Sequence, residues 1–237
     1  MYNQNNLHTQ GSYLQFIDKK LIIFDLDGTL IDSALDLAAA INYMLQKLNR
    51  DKFPQETIHG WVGNGALMLV QRALFGQRSI SESLDQVLVQ KALKIFLTSY
   101  ADNLCNATLA YPNVSSTLQT LKQDGYSLAI VSNKPFDFIE PILKGLELNG
   151  LFMFILGGDS LKEKKPSPLP LLHVCKKLDT SVDKTLMVGD SKNDIQAASA
   201  CGMQSVAVTY GYNYGEDIGT YRPNAMIDDF SELLKLL

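Results

Sequence analysis

Short apolar runs punctuate the chain at residues 21–24, 127–131, 153–156, 185–188 and 205–208, without strict alternation of apolar and polar side chains. Runs of this kind fit strands buried on both faces, as in a parallel sheet. Amphipathic, helix-like stretches at residues 136–146, 168–178 and 193–201 separate the last four. This alternation predicts an α/β fold: a doubly wound, Rossmann-like parallel sheet with right-handed crossovers. In such a sheet the loops that carry chemistry gather at the carboxyl ends of the strands.

One stretch breaks the pattern. Residues 33–109 hold no strand-like run, only helical patterning at 35–48, 67–75 and 84–100. That is far longer than an ordinary strand–helix connection, so a small helical domain is expected to be inserted after the first strand. Gly60 and Gly63-Asn64-Gly65 mark a turn inside it, and Tyr111-Pro112 marks the return to the sheet. The expected division is a polar N-terminal extension (1–20), a core domain (21–32 and 110–237) and the helical insert (33–109). Trp61 and Tyr43 are expected to pack between the insert's helices.

The 237 residues carry 21 Lys and Arg against 25 Asp and Glu, a formal net charge of −4. This balance gives no general attraction to nucleic acid or to an anionic membrane, so any anion handled must be captured by a local site. Cys105, Cys175 and Cys201 form no CxxC pair. They are expected to be buried free thiols in a reducing compartment rather than a disulfide framework or a zinc site. The amide-rich start lacks the apolar segment of a signal peptide, and no apolar run approaches the roughly 20 residues that cross a bilayer. A cytoplasmic protein is expected. His8, His59 and His173 show no ligand spacing and receive no role.

Four clusters follow predicted strands. Asp25-Leu26-Asp27-Gly28-Thr29-Leu30 places two carboxylates at a strand end before a glycine that permits a sharp turn; capping aspartates in a plain turn are the competing reading. Ser132-Asn133-Lys134 offers a hydroxyl and an amide to a phosphate oxygen, or to a helix cap. Lys164-Lys165-Pro166 can aim an amine at an anion, or form a solvated basic turn. Gly189-Asp190-Ser191-Lys192-Asn193-Asp194 sets two carboxylates one helical turn apart, oxygen ligands suited to a hard cation such as Mg²⁺. A doubly wound sheet brings all four to one rim. Carboxylates buried together there repel one another unless a cation neutralises them.

In this order, Asp25-x-Asp27-Gly28-Thr29, Ser132, Lys165 and Gly189-Asp190-x-x-x-Asp194 resemble the motifs of the haloacid dehalogenase superfamily of phosphohydrolases. The insert is similar to the α-helical cap of one subclass, and the likeness covers nearly all of the chain from Leu21 onward. Within the superfamily, Gly60-Trp61-Val62-Gly63-Asn64-Gly65-Ala66, Gly157-Gly158-Asp159, Lys164-Lys165-Pro166 and the stretch 209–215 resemble the bacterial phosphoglycolate phosphatases. The resemblance implies Mg²⁺-dependent cleavage of 2-phosphoglycolate to glycolate and phosphate through an aspartyl-phosphate.

It further implies roles. Asp25 is the nucleophile, and Asp27 the acid toward the leaving oxygen and then the base toward water. The metal falls to the Asp25 side chain, the Asp27 carbonyl and Asp190, with Asp194 acting through a bound water or through Lys165. Ser132, Lys165 and the Asn133 amide hold the transferring group. On the insert, Gly65 and Arg72 are candidates for an anionic substrate tail, a solvated helix face being the competing expectation for Arg72. A small phosphorylated organic acid or sugar is the expected partner, as a monomer or a homodimer. A sugar-phosphate phosphatase, a phosphoglucomutase-like enzyme and an inactive phospho-ligand sensor stay open.

Overall fold

A computed structural model describes residues 16–80 and 85–237. In chain order its elements are β1 (Leu21–Phe24), β2 (Ile31–Asp32), α1 (Ala34–Lys47), α2 (Gln55–His59), α3 (Ala66–Phe75), α4 (Gln86–Ala101) and β3 (Leu109–Ala110). Then follow α5 (Val114–Gln123), β4 (Ser127–Val131), α6 (Phe136–Gly145), β5 (Phe154–Leu156), α7 (Leu169–Lys177), β6 (Thr185–Gly189), α8 (Lys192–Ala200), β7 (Gln204–Val208), β8 (Ala225–Ile227) and α9 (Leu233–Leu236). Six strands form one sheet in the order β5-β4-β1-β6-β7-β8, with every pairing parallel. Strand order reverses on either side of β1, the arrangement that opens a crevice at the carboxyl ends.

The apolar runs are explained by burial on both faces. Ile22 and Phe24 join Leu128, Ile130, Leu186 and Val188 under α5, α6 and α9. Their neighbours Leu21 and Ile23 join Ala129, Val131 and Met187 under α7 and α8. Each of the four β1 side chains is fully buried, worth roughly 1.5–3 kcal/mol apiece. The expected runs thus appear as β1, β4, β5, β6 and β7. The edge strand β8 and the amphipathic α5, which buries Val114, Leu118 and Leu121, were not expected.

Helices α1 to α4 lie between β2 and β3, which pair antiparallel and close the base of the insert. The insert's helices bury a second cluster, with Leu37, Ile41, Met44 and Leu45 of α1 in the same core as Val89, Ala92, Phe96 and Tyr100 of α4, and Tyr212 joins it from outside the insert. The buried Asp36 fastens the return chain: it accepts the N–H groups of Ala107 and Thr108 and the Thr108 hydroxyl at 2.6 Å. Leu84, the expected start of the third helical stretch, lies outside the described residues. Trp61 packs as expected, edge-on to Phe53 at 5.0 Å. Tyr43 does not: the residue is 45% exposed, with the Lys47 ammonium over its ring.

Phe16 is buried in the main core, and its N–H donates to the Leu236 carbonyl at 2.7 Å, so the polar start is anchored from that residue on. Residues 1–15 of the expected extension, His8 among them, lie outside the described residues. The three cysteines are free, Cys175 buried but Cys105 and Cys201 only partly so. Among the described residues no helix is long and apolar enough to cross a membrane.

Candidate active site

β1 ends at Phe24, and its next residue, Asp25, donates its N–H to the Val188 carbonyl of β6 at 3.0 Å. The adjacent strands β4 and β6 end at Val131 and Gly189, so Ser132 and Asp190 follow at the same rim. One oxygen each of Asp25, Asp190 and Asp194 lies within 4.8 Å of the others, and all three side chains are buried. The sequence places the last two on either side of the α8 N-terminus. Asp194 accepts the Ser191 N–H at 3.0 Å and its hydroxyl at 2.8 Å, which stabilises the first turn of the helix and leaves its other oxygen facing the cluster.

That second oxygen lies 2.6 Å from Lys165 Nζ, which is also 3.0 Å from Asp25 Oδ1. Burial works against the Lys165 charge, but Asp194 and Asp25 outweigh it and raise the amine above its ordinary range. One ammonium does not balance three carboxylates. Burial, with the charge of Asp194 added, pushes Asp25 up to about 7 despite the nearby Lys165 and the Leu26 N–H. Asp190 is raised well above the usual carboxylate range by burial and by its two acidic neighbours. It accepts from Thr29 Oγ1 at 2.8 Å and from the Tyr212 N–H at 2.7 Å. Gly28, at φ +88°, passes so close that a Cβ there would overlap the Asp190 carboxylate. Crowded hard oxygens with a charge deficit suit a divalent cation.

Asp27 faces elsewhere. Its Oδ1 accepts the Ser33 hydroxyl at 2.5 Å and Lys134 Nζ at 2.8 Å, with Oδ2 3.1 Å from the same amine. Its carboxylate therefore stands apart from the three-membered acidic group. Lys134 is buried and donates also to Tyr100 OH on α4 at 2.7 Å. Burial opposes the charge of Lys134, but Asp27 and Tyr100 more than compensate and hold it above the ordinary lysine value. Lys134 has no place among the site residues inferred from sequence. The signal was present in Ser132-Asn133-Lys134, but its partner Tyr100 lies in the insert and only folding unites them.

A cavity of about 40 Å³ joins these groups to the insert; it is lined by Asp25, Asp27, Ser132 and Lys134 below and by Gly65, Leu69, Phe96 and Tyr100 above. Gly65, the residue before α3, is thus brought to the site. Arg72 is not among the lining residues. Its guanidinium donates to the carbonyls of Trp61 and Arg78 and to Asn64 Oδ1 at 2.8 Å, which pins the turn ahead of α3; it is neither a solvated face nor aimed at the cavity. Asn133 also lines the cavity, but its amide donates to Gly63 O at 3.1 Å and Lys165 O at 3.0 Å, holding the insert and the lysine loop together. Asn193 and Tyr214 add to that seam, with Asn193 Nδ2 3.2 Å from Gly63 O and Tyr214 OH 2.8 Å from Asn64 Oδ1.

The fold and the acidic rim define a class. Residues 22–208 match the haloacid dehalogenase-like hydrolase family, and the chain belongs to it. At the next level of detail, it is 51% identical to the phosphoglycolate phosphatase of Colwellia psychrerythraea over 92% of this chain and 96% of that protein. It is 47% identical to the enzyme of the same name from Psychrobacter arcticus, over 93% and 96% of the two chains. A crystal structure from Haemophilus somnus, described as a predicted phosphoglycolate phosphatase, superimposes with a TM-score of 0.87 at 42% identity and covers 92% of this chain and 98% of its own.

Proposed function

We propose that this chain is a Mg²⁺-dependent phosphomonoesterase that hydrolyses 2-phosphoglycolate to glycolate and phosphate in the cytoplasm. The observation that carries the chemistry is the buried group of Asp25, Asp190 and Asp194 around the single amine of Lys165. The relatives named phosphoglycolate phosphatase support the substrate. The cavity supports it too: Tyr100 is the only polar side chain that the insert contributes to the lining among the described residues, so a sugar's hydroxyls would find few partners. In this reading residues 33–109 are a cap over a core of residues 21–32 and 110–237.

Asp25, Asp190 and Asp194 fit a hard divalent ion by donor type and by their deficit of positive charge. Mg²⁺ bound there supplies charge stabilisation to the phosphoryl oxygens. Asp25 attacks phosphorus, the bond from phosphorus to the ester oxygen breaks, and Asp27, which enters this step carrying a proton, gives it to the departing glycolate oxygen. Water then attacks the aspartyl-phosphate, Asp27 takes the water's proton, and the Asp25 carboxylate is regenerated with release of phosphate. Lys165, fixed by Asp194, keeps Asp25 oriented and presents charge to the transferring group alongside Ser132. Ser33 and Lys134 hold Asp27 in place.

The test is phosphate release from a panel of small phosphomonoesters, with and without a chelator. Turnover led by 2-phosphoglycolate, abolished by chelation and restored by Mg²⁺, is expected. Equal turnover of unrelated sugar phosphates would remove the named substrate, and turnover that persists in chelator would remove the metal.

A further inference from the structure

Lys134 is more than a partner for Asp27. Only 3% of its side chain is exposed, against 13% for Asp27, yet it borders the cavity. Its ammonium meets both oxygens of Asp27, at 2.8 and 3.1 Å, and the Tyr100 hydroxyl at 2.7 Å. The other buried lysine of the site, Lys165, is held between Asp25 and Asp194 and does not line the cavity. Arg72, the cation nearest in the insert's sequence pattern, spends its donors on Trp61, Asn64 and Arg78. Beyond Asp27 the cavity is walled by Leu37, Leu69, Phe96 and Phe138. Among the described residues that line it, Lys134 is the one cation a carboxylate there would meet, and an unpaired charge in such surroundings is heavily penalised.

The connectivity of the substrate completes the case. In 2-phosphoglycolate a single methylene separates the ester oxygen from the carboxylate carbon. Asp27 must touch that ester oxygen to protonate it, and Lys134 Nζ lies 2.8 Å from Asp27. The cation is therefore one hydrogen bond beyond the acid, and the carboxylate is one carbon beyond the oxygen that the acid serves. Lys134 lines the same cavity as Asp25, Asp27 and Tyr100.

Resting on the substrate reading above, we propose that Lys134, steadied by Tyr100, is the specificity-determining residue that receives the substrate's carboxylate. Selection then comes from a residue of the core, which makes the cap an apolar wall with one phenol rather than the bearer of the recognition charge.

The experiment compares 2-phosphoglycolate with its neutral carboxamide, 2-phosphoglycolamide, by kcat and KM in wild type, Lys134→Met, Lys134→Gln and Lys134→Arg. Wild type is expected to prefer the acid by roughly 10- to 150-fold in kcat/KM, the range for a hydrogen bond to a charged group. Both neutral variants slow on both substrates through Asp27, but the preference itself falls to near unity, with KM for the acid rising; Lys134→Arg restores part of it. A merely structural lysine would lower both substrates by the same factor. A preference that survives in both neutral variants overturns the role of Lys134 while leaving the substrate standing. A wild type indifferent to the carboxylate overturns the substrate reading, and this inference with it.

Discussion

Removing the charge of Asp25 should abolish turnover with Mg²⁺ and, at once, make the metal-free protein more stable. In the absence of a cation, burial and Asp194 push Asp25 from its ordinary 3.8 up to about 7. At about 1.4 kcal/mol per pH unit, an ionised Asp25 destabilises the metal-free fold by on the order of 4 kcal/mol. The sign follows from linkage: a raised carboxyl favours the folded state below its ordinary value, and that advantage is lost as pH climbs through the folded value. Asp25→Asn, an isosteric neutral change, escapes the loss. In chelator at pH 8 its melting temperature should exceed that of wild type by on the order of 10 °C, at ~2–4 °C per kcal/mol for a chain of this size. The gap should narrow as pH falls and close below the ordinary carboxylate range. Adding Mg²⁺ should stabilise wild type far more than the variant. Thermal denaturation across pH, with and without chelator, reads all of this. A variant less stable than wild type at pH 8 in chelator would refute the account of an overcrowded, charge-deficient cluster.

Other outcomes follow from the same coordinates. Lys165→Met removes the one cation between Asp25 and Asp194, and phosphate release should fall on the order of 10²–10³-fold, as for other preorganised donors. Gly28→Ala must place a Cβ against the Asp190 carboxylate at a positive φ; isothermal titration should show weakened Mg²⁺ binding, and denaturation a loss on the order of 1–3 kcal/mol. Arg72→Met should lower the melting temperature, since it frees Trp61 O and Asn64, without altering the preference for a carboxylated substrate. Glu216, beside Arg78, Lys192 and Tyr221, is held down to about 2 by its hydrogen bonds to Tyr221 and Arg78. Its contribution is present above the ordinary 4.5 and lost as pH falls toward 2; as a half-buried surface group screened by solvent it is worth no more than about 1 kcal/mol, so Glu216→Gln should flatten acid denaturation only slightly.

The parts of this fold that could be read from residue order are those where one local pattern has one physical meaning. Runs such as Leu21-Ile22-Ile23-Phe24 have no polar face, so they must lie inside a sheet covered on both sides, and an acidic residue directly after such a run must reach the rim. That reasoning locates Asp25 and Asp190 without coordinates. It fails where meaning comes from distant partners. Lys134 reads as a turn lysine until Tyr100, 34 residues earlier, is folded over it. Arg72 reads as a surface or ligand cation because two of its three acceptors are backbone carbonyls, of Trp61 and Arg78, which carry no side-chain signal in the sequence. β8 is a three-residue edge strand with Met226 half-exposed, too short and too mixed to carry a period. Tyr212, whose N–H holds Asp190 and whose hydroxyl holds Asp32 at 2.6 Å, sits in an aromatic-rich loop whose composition says nothing about where it docks.

The most direct trial of the proposed chemistry is to find where the phosphoryl group goes. Enzyme quenched during turnover of 2-phosphoglycolate with Mg²⁺, reduced with borohydride and mapped by peptide mass spectrometry should carry homoserine at position 25, and no such mark should form in chelator. Reduction at any other carboxylate, or steady turnover with position 25 unmarked, would contradict the assignment of Asp25 as the residue that accepts the phosphoryl group.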